Sequence, residues 1–232
     1  MSTEIFSVIP EACGLVPHSE EWFTYSVSIL DRSGSMQRFG TEPRDGFAAS
    51  LALLRASPNA GRLIVALSTF SDTARMDIEP CLVKLAHVPE VIHPLGNTRL
   101  YGTVRAHLAY FFPEYLKGVA AGYHSNVGIT VYTDGEDTAS SEEDQRELKE
   151  LAAVAREAGW DLYTKAFGID AVKIARSMGF PEDSEHAVSL AATRQAVREA
   201  TVTTARTSMR ASYTRPITMV CTDDDPSKPS RK

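Results

Sequence analysis

The distribution of apolar and polar residues along the chain spells out strands and helices in turn. Tyr25-Ser26-Val27-Ser28-Ile29-Leu30 alternates polar and apolar and closes on an apolar pair, which predicts a core strand from Phe23 to Leu30. Phe47, Leu51 and Leu54 then recur at helical spacing. Pro43 sits in the first turn of that helix, where its missing N–H is harmless, and Ser57-Pro58-Asn59 ends it. Arg62 to Phe70 is nearly continuous in apolar residues, the pattern of a strand buried on both faces. Ser71-Asp72 reads as a turn and Ala74 to Ile78 as a short antiparallel return. Cys81 to Ile92 is ambiguous between a short helix and a loop. After the polar turn Pro94-Leu95-Gly96-Asn97-Thr98, the positions Leu100, Val104, Leu108, Phe111 and Tyr115 predict a helix, with Gly118 just past its end.

Asn126 to Thr133 is a further core strand that runs into Thr133-Asp134-Gly135-Glu136-Asp137. Ser140 with Glu143 resembles a capping box for the helix carrying Leu148, Leu151, Ala152 and Ala155, which Gly159 ends. Trp160 to Phe167 predicts a strand, Asp170 caps a short helix that stops at Gly179, Glu185 to Leu190 reads as a last short strand, and a final helix runs from Thr193 to about Met209. Strand and helix alternate almost throughout. The expected fold class is therefore α/β: a doubly wound, mostly parallel central sheet with one antiparallel edge strand and helices on both faces, Rossmann-like in build. The expected organisation is a lead-in over residues 1–21, one domain over 22–211, and a disordered tail over 212–232. In such sheets ligand sites form at the carboxyl ends of the strands, where strand order reverses.

Composition adds bounds rather than detail. The chain has 232 residues, 43% hydrophobic and 23% charged, as in an ordinary globular protein. A net charge of -6 argues against a nucleic-acid partner. Cys13, Cys81 and Cys221 are odd in number, far apart and without a CxxC pair, which speaks against a disulfide framework and against a thiolate zinc site. Together with an N-terminus lacking a signal-peptide pattern and the lack of any segment approaching the roughly 18 apolar residues of a span, this makes a cytoplasmic protein without membrane contact the expectation.

Candidate chemistry begins at Asp31-Arg32-Ser33-Gly34-Ser35-Met36. One carboxylate and two hydroxyls stand at alternate positions on a loop leaving a strand, so Asp31, Ser33 and Ser35 can aim oxygens at one point. Oxygen-only ligands of low charge suit a hard cation such as Mg2+ better than zinc or copper. The bland alternative is a turn, since Asp, Ser and Gly favour turns for other reasons. Likewise Thr98 alone could be a helix N-cap and Asp134-Gly135 an ordinary turn pair. The three segments together, each at a fitting strand or helix boundary, favour a metal site. Glu136 and Asp137 could support the site from outside its ligands, but read better as solvated charges ahead of a helix; Asp72 reads as a turn residue, and Trp160 and Tyr163 as core or strand residues. The six histidines show no HxxxH or HExxH pairing, and Arg194, Arg198, Arg206 and Arg210 read as a solvated helix face.

On these residues the chain resembles von Willebrand factor type A domains with a metal-ion-dependent adhesion site. That family pairs a strand ending in Asp-x-Ser-x-Ser with a threonine in a glycine-containing turn before a long helix, and with an aspartate opening an Asp-Gly turn after a later strand. Here Asp31, Ser33, Ser35, Thr98 and Asp134 occupy the five positions, and the resemblance covers roughly residues 23–209. The run Ala166-Phe167-Gly168-Ile169-Asp170, with Ala175 and Met178-Gly179, is similar to stand-alone bacterial members. Gly102 departs from the acidic residue that many members carry there. The resemblance implies Mg2+, with Mn2+ or Ca2+ as alternatives, held directly by Ser33 and Ser35 and often through water by Asp31 and Asp134. It also implies a protein partner that supplies an Asp or Glu carboxylate to the cation, and an adaptor role in an intracellular multiprotein system rather than catalysis. The rival is a Mg2+-dependent aspartate-nucleophile phosphatase or phosphotransferase using Asp31. Such enzymes need an acid/base aspartate two residues on, where Ser33 stands and cannot protonate a leaving group.

Overall fold

The computed structural model describes residues 22–120 and 123–214, so the lead-in and the tail beyond Thr214 lie outside the described residues. Six strands form one sheet in the order β3-β2-β1-β4-β5-β6: β1 (Trp22–Asp31), β2 (Leu63–Phe70), β3 (Ala74–Leu82), β4 (His124–Thr133), β5 (Asp161–Phe167) and β6 (Ala187–Leu190). All neighbours are parallel except β2 and β3, which pair antiparallel at the edge. The helices are α1 (Glu42–Arg55), α2 (Leu100–Ala120), α3 (Glu142–Glu157), α4 (Ala171–Met178) and α5 (Arg194–Ala211). The sheet is therefore doubly wound and mostly parallel with one antiparallel edge strand, as the alternating pattern implies.

The period of two in β1 decides which residues face which layer. Phe23, Tyr25, Val27 and Ile29 join Val104, Leu108 and Phe111 of α2 and Leu148 and Ala152 of α3 in one core. Leu30, Val65, Leu67, Tyr132 and Phe167 face the other way and pack with Phe47, Leu51 and Leu54 of α1 and Val197 and Ala200 of α5. A sheet buried on both faces leaves only its edges and its strand ends for chemistry.

Several boundaries differ from the sequence expectation for identifiable reasons. β3 runs to Leu82 because register shifts near Leu67 let Cys81 and Leu82 continue the pairing, and Pro80 is tolerated on an edge strand. No helix follows within residues 83–92; Val83 and Ala86 instead bury themselves from a turn. α2 passes Gly118 and ends at Ala120. The capping box of α3 is Ser141 with Asp144, one residue on from the expected pair. Ser140 is already committed, its hydroxyl donating to Asp137 Oδ2 at 2.6 Å. Packing also continues three residues past the expected boundary at 211. Ser212 is buried, its carbonyl accepts from Asn59 Nδ2 at 3.0 Å, and Thr214 O accepts from Asn126 Nδ2 at 2.8 Å.

α1 and α5 approach closely at Gly46. A Cβ there would stand 2.6 Å from Thr201 Oγ1 and 3.2 Å from Arg198 Cα. Alanine would gain up to about 1 kcal/mol of helix preference, against about 1–3 kcal/mol for overpacking. The clash prevails because Arg198 Cα is backbone and the buried Thr201 hydroxyl is bonded to Arg198 O. Gly46→Ala is expected to lower stability by about 1 kcal/mol in denaturant titration; a variant as stable as the parent would mean that the two helices can separate freely.

Candidate metal centre

β1 lies at the point where the winding reverses, with β2 on one side and β4 on the other. Its last residue, Asp31, is 1% exposed. Both carboxylate oxygens are engaged: Oδ1 accepts the Ser33 N–H at 2.7 Å and Oδ2 accepts the Thr133 hydroxyl at 2.7 Å. The first bond is an Asx turn that folds Ser33 back over the strand end. From there a relay of hydroxyls leads to the second carboxylate. Ser33 Oγ and Ser35 Oγ are 3.1 Å apart, and Ser35 Oγ donates to Asp134 Oδ1 at 2.6 Å. Since Ser35 spends its proton on Asp134, Ser33 must be the donor within the serine pair.

Asp134 opens the loop after β4 and is buried, with Arg38 Nη2 2.8 Å from its Oδ2. That contact is an ion pair without hydrogen-bond alignment, since Oδ2 is buried and has no hydrogen-bond partner. The Coulombic attraction is therefore real but leaves a lone pair of Oδ2 uncommitted.

The third segment arrives through backbone contacts. Gly34 N–H donates to Gly96 O at 3.0 Å and Leu95 N–H to Arg32 O at 2.7 Å. Thr138 N–H donates to Thr98 O at 2.9 Å, and Thr98 N–H to the Thr138 hydroxyl at 3.1 Å. The Thr98 hydroxyl lies against Gly135, 3.6 Å from where a Cβ on that residue would be. The three loops expected from the sequence thus meet; Asp31, Ser33, Thr98 and Asp134 are buried there and Ser35 is exposed.

Sequence reasoning missed the residues that hold these loops. Asp72, expected as a turn residue, accepts from the Asn97 backbone and side chain at 3.2 and 2.9 Å. Gly96 has φ +79°, and a Cβ there would fall 1.9 Å from Asp72 Oδ2, so glycine is required by both conformation and space. Asp137 is not a solvated charge. It accepts from Tyr101 N–H at 2.9 Å, at the start of α2, and from Ser140 N–H at 2.8 Å. Glu136 does lie at the surface, paired with Lys173 at 2.5 Å. Near Gly102 the acidic group comes from α3, where Asp144 Oδ2 would stand 3.2 Å from a Cβ on residue 102. Only Thr133 had a local signal, standing beside Asp134 at a strand end.

No family model matches the sequence, and no curated protein matches it. Solved structures do match. The pilus adhesin SpaC of Lactobacillus rhamnosus GG, in an open conformation, aligns at TM-score 0.61 and 13% identity over 84% of this chain and 31% of its own. The PilB minor pilin of Streptococcus sanguinis aligns at 0.51 and 12% over 84% and 63%, respectively. Proximal thread matrix protein 1 from the mussel byssus, with a zinc-occupied MIDAS motif, aligns at 0.50 and 10% over 82% and 46%. The chain has the von Willebrand factor type A fold. It spans less than two thirds of the length of each of these proteins.

Within this von Willebrand factor type A fold the Asp31 carboxylate is held at an electrostatic cost. Burial pushes the Asp31 carboxyl up to about 6, helped by the charge of Asp134 and opposed by the bonds from Ser33 and Thr133. Among the described residues no group of three or more His, Cys, Asp or Glu could hold a metal ion. A cation here would thus depend on the hydroxyls. Oxygen donors alone, two of them charged, fit a hard divalent cation, and the uncommitted Asp134 Oδ2 fits it too.

Because the folded-state value of Asp31 lies above the ordinary carboxylate range near 4, its ionisation opposes folding. The cost is absent below about pH 4 and full above about pH 6, roughly 2–3 kcal/mol for the shift involved. In chelator-treated protein the Asp31 carboxyl carbon should titrate near pH 6 by NMR. Thr133→Val should raise that value further, and Asp31→Asn should remove this contribution to the fall in stability between pH 4 and 6. Titration of Asp31 near 4 would contradict the burial described.

Proposed function

We propose that this protein is a Mg2+-dependent protein-binding module that captures an Asp or Glu side chain of a partner, in an adaptor role inside the cell. The observation that carries the reading is the meeting of two carboxylates and three hydroxyls from three loops at the reversal point of the sheet. Asp31, Ser33, Ser35, Thr98 and Asp134 would hold the cation. When bound, Mg2+ would supply Lewis acidity and an exchangeable ligand position, with Mn2+ or Ca2+ as alternatives.

The protein's own groups suit that task. Ser33 and Ser35 offer neutral oxygens, so the two carboxylates balance a divalent charge without exceeding it, and Arg38 beside Asp134 adds one positive charge that a partner carboxylate can meet. Asp31 already accepts two hydrogen bonds, which fits a carboxylate that fixes the loop and meets a cation through water. Exposure of Ser35 leaves the site open to an incoming side chain. A zinc-occupied MIDAS motif in the mussel protein supports a divalent ion in such a site, and adhesins and pilins among the neighbours support a binding role. The phosphotransferase alternative lacks support at Ser33, which bonds within the loop and has no acid/base chemistry to offer.

Calorimetry with Mg2+ or Mn2+ tests the reading. The parent protein should bind one ion, and Asp31→Ala or Asp134→Ala should reduce affinity at least about 100-fold while circular dichroism shows the fold intact. Affinity should also fall as pH drops through about 6, because a proton on Asp31 competes with the ion. Unchanged affinity in both variants would remove the proposed site. Phosphatase turnover abolished by Asp31→Asn would replace the binding reading with the enzymatic one.

A further inference from the structure

Beside the five-residue site lies a cavity of about 140 Å3 that shares Asp31 as a wall. Met36, Pro43, Val91 and Pro94 make most of its lining apolar. Arg32 is set into this wall. Its backbone is fixed from both sides, the N–H donating to Phe70 O and the carbonyl accepting from Leu95 N–H, each at 2.7 Å. Its side chain has no such hold. Nε is buried without a hydrogen-bond partner, and among the described residues no carboxylate stands within ion-pair distance of the guanidinium.

The neighbouring arginines show how unusual this is. Arg38 faces Asp134 at 2.8 Å, and Arg44 is held by Pro89 O at 3.0 Å and Asp45 at 2.7 Å. Arg32 thus lines the cavity with a positive charge that no carboxylate of the described residues offsets, and a planar carboxylate is the acceptor that fits the paired N–H groups of its two Nη atoms best. The apolar wall matches the methylenes that carry a glutamate carboxylate. Glu90, exposed at the rim, disfavours an anion there only through screened solvent.

We propose that Arg32 and this cavity form a second subsite that takes a glutamate side chain of the same partner segment whose other acidic residue reaches the cation. The inference rests on the metal-site reading above. It makes recognition depend on two acids at a fixed spacing rather than on one carboxylate.

Display of random peptides on phage, selected on the full chain in Mg2+ and eluted with chelator, tests it. The parent protein is expected to enrich peptides with two acidic residues at constant spacing. Arg32→Gln is expected to keep chelator-eluted binding through one acid, lose the preference for the second, and bind the parent's best peptide at least tenfold more weakly. Arg32→Lys, retaining charge without the fork, should fall between. Identical selection by parent and Arg32→Gln, or an apolar residue enriched in place of the second acid, would overturn the proposal. If the parent binds Mg2+ by calorimetry but yields no chelator-eluted peptide, the subsite falls while the metal site stands. If Mg2+ itself does not bind, both fall.

Discussion

A carboxylate buried at the end of a central strand has to find its hydrogen-bond donors in the protein, and Asp31 finds one on each side. The Ser33 N–H comes from its own loop and the Thr133 hydroxyl from the end of β4. These two bonds, made across the place where the sheet reverses its winding, decide where the serines point and where the loop after β4 begins. Burial still wins over them, raising the affinity of Asp31 for a proton.

Around that carboxylate the charges are arranged with economy. Asp134 is linked to the serines through Ser35 on one oxygen and faces Arg38 with the other. Only two anions and three neutral hydroxyls stand there, so a divalent ion held among them would be balanced without excess negative charge, and Arg38 beside Asp134 leaves the site one positive charge for a further carboxylate. The backbone contacts between Gly34 and Gly96 and between Thr138 and Thr98 keep the loops in register without spending the side-chain oxygens. Asp72 and Asp137 extend the same principle outward. Each is an acid used to fix a loop, the first on Asn97 and the second on the start of α2.

The fold class was legible because β1 and β4 alternate apolar and polar residues, β2 is nearly continuous in apolar ones, and helical periods stand between them, the signature of a doubly wound α/β sheet. Asp31, Ser33 and Ser35 were legible because they act within one loop, and Thr98 and Asp134 because each stands at a boundary that the apolar pattern marks. Asp72 was not, since its partner Asn97 lies 25 residues away and nothing local distinguishes it from a turn residue. The contact of Asp137 with Tyr101, 36 residues away, was hidden in the same way, although its bonds to Ala139 and Ser140 are local. The capping box of α3 was displaced by one position because two adjacent serines, Ser140 and Ser141, compete for the role and a bond from Ser140 to Asp137, three residues back in the same loop, decides between them. β3 reached further than its alternation suggests because its bulges keep pairing alive where the side-chain period breaks.

The central claim is that one divalent cation is shared by three loops that are remote in sequence. Paramagnetic broadening by Mn2+ at substoichiometric concentration tests this directly, residue by residue, in amide NMR spectra. The amides of Ser33, Gly34, Ser35, Thr98, Asp134 and Gly135 should broaden together and recover on adding chelator. Broadening centred on another part of the surface, or none at these residues, would contradict a cation site at the end of β1.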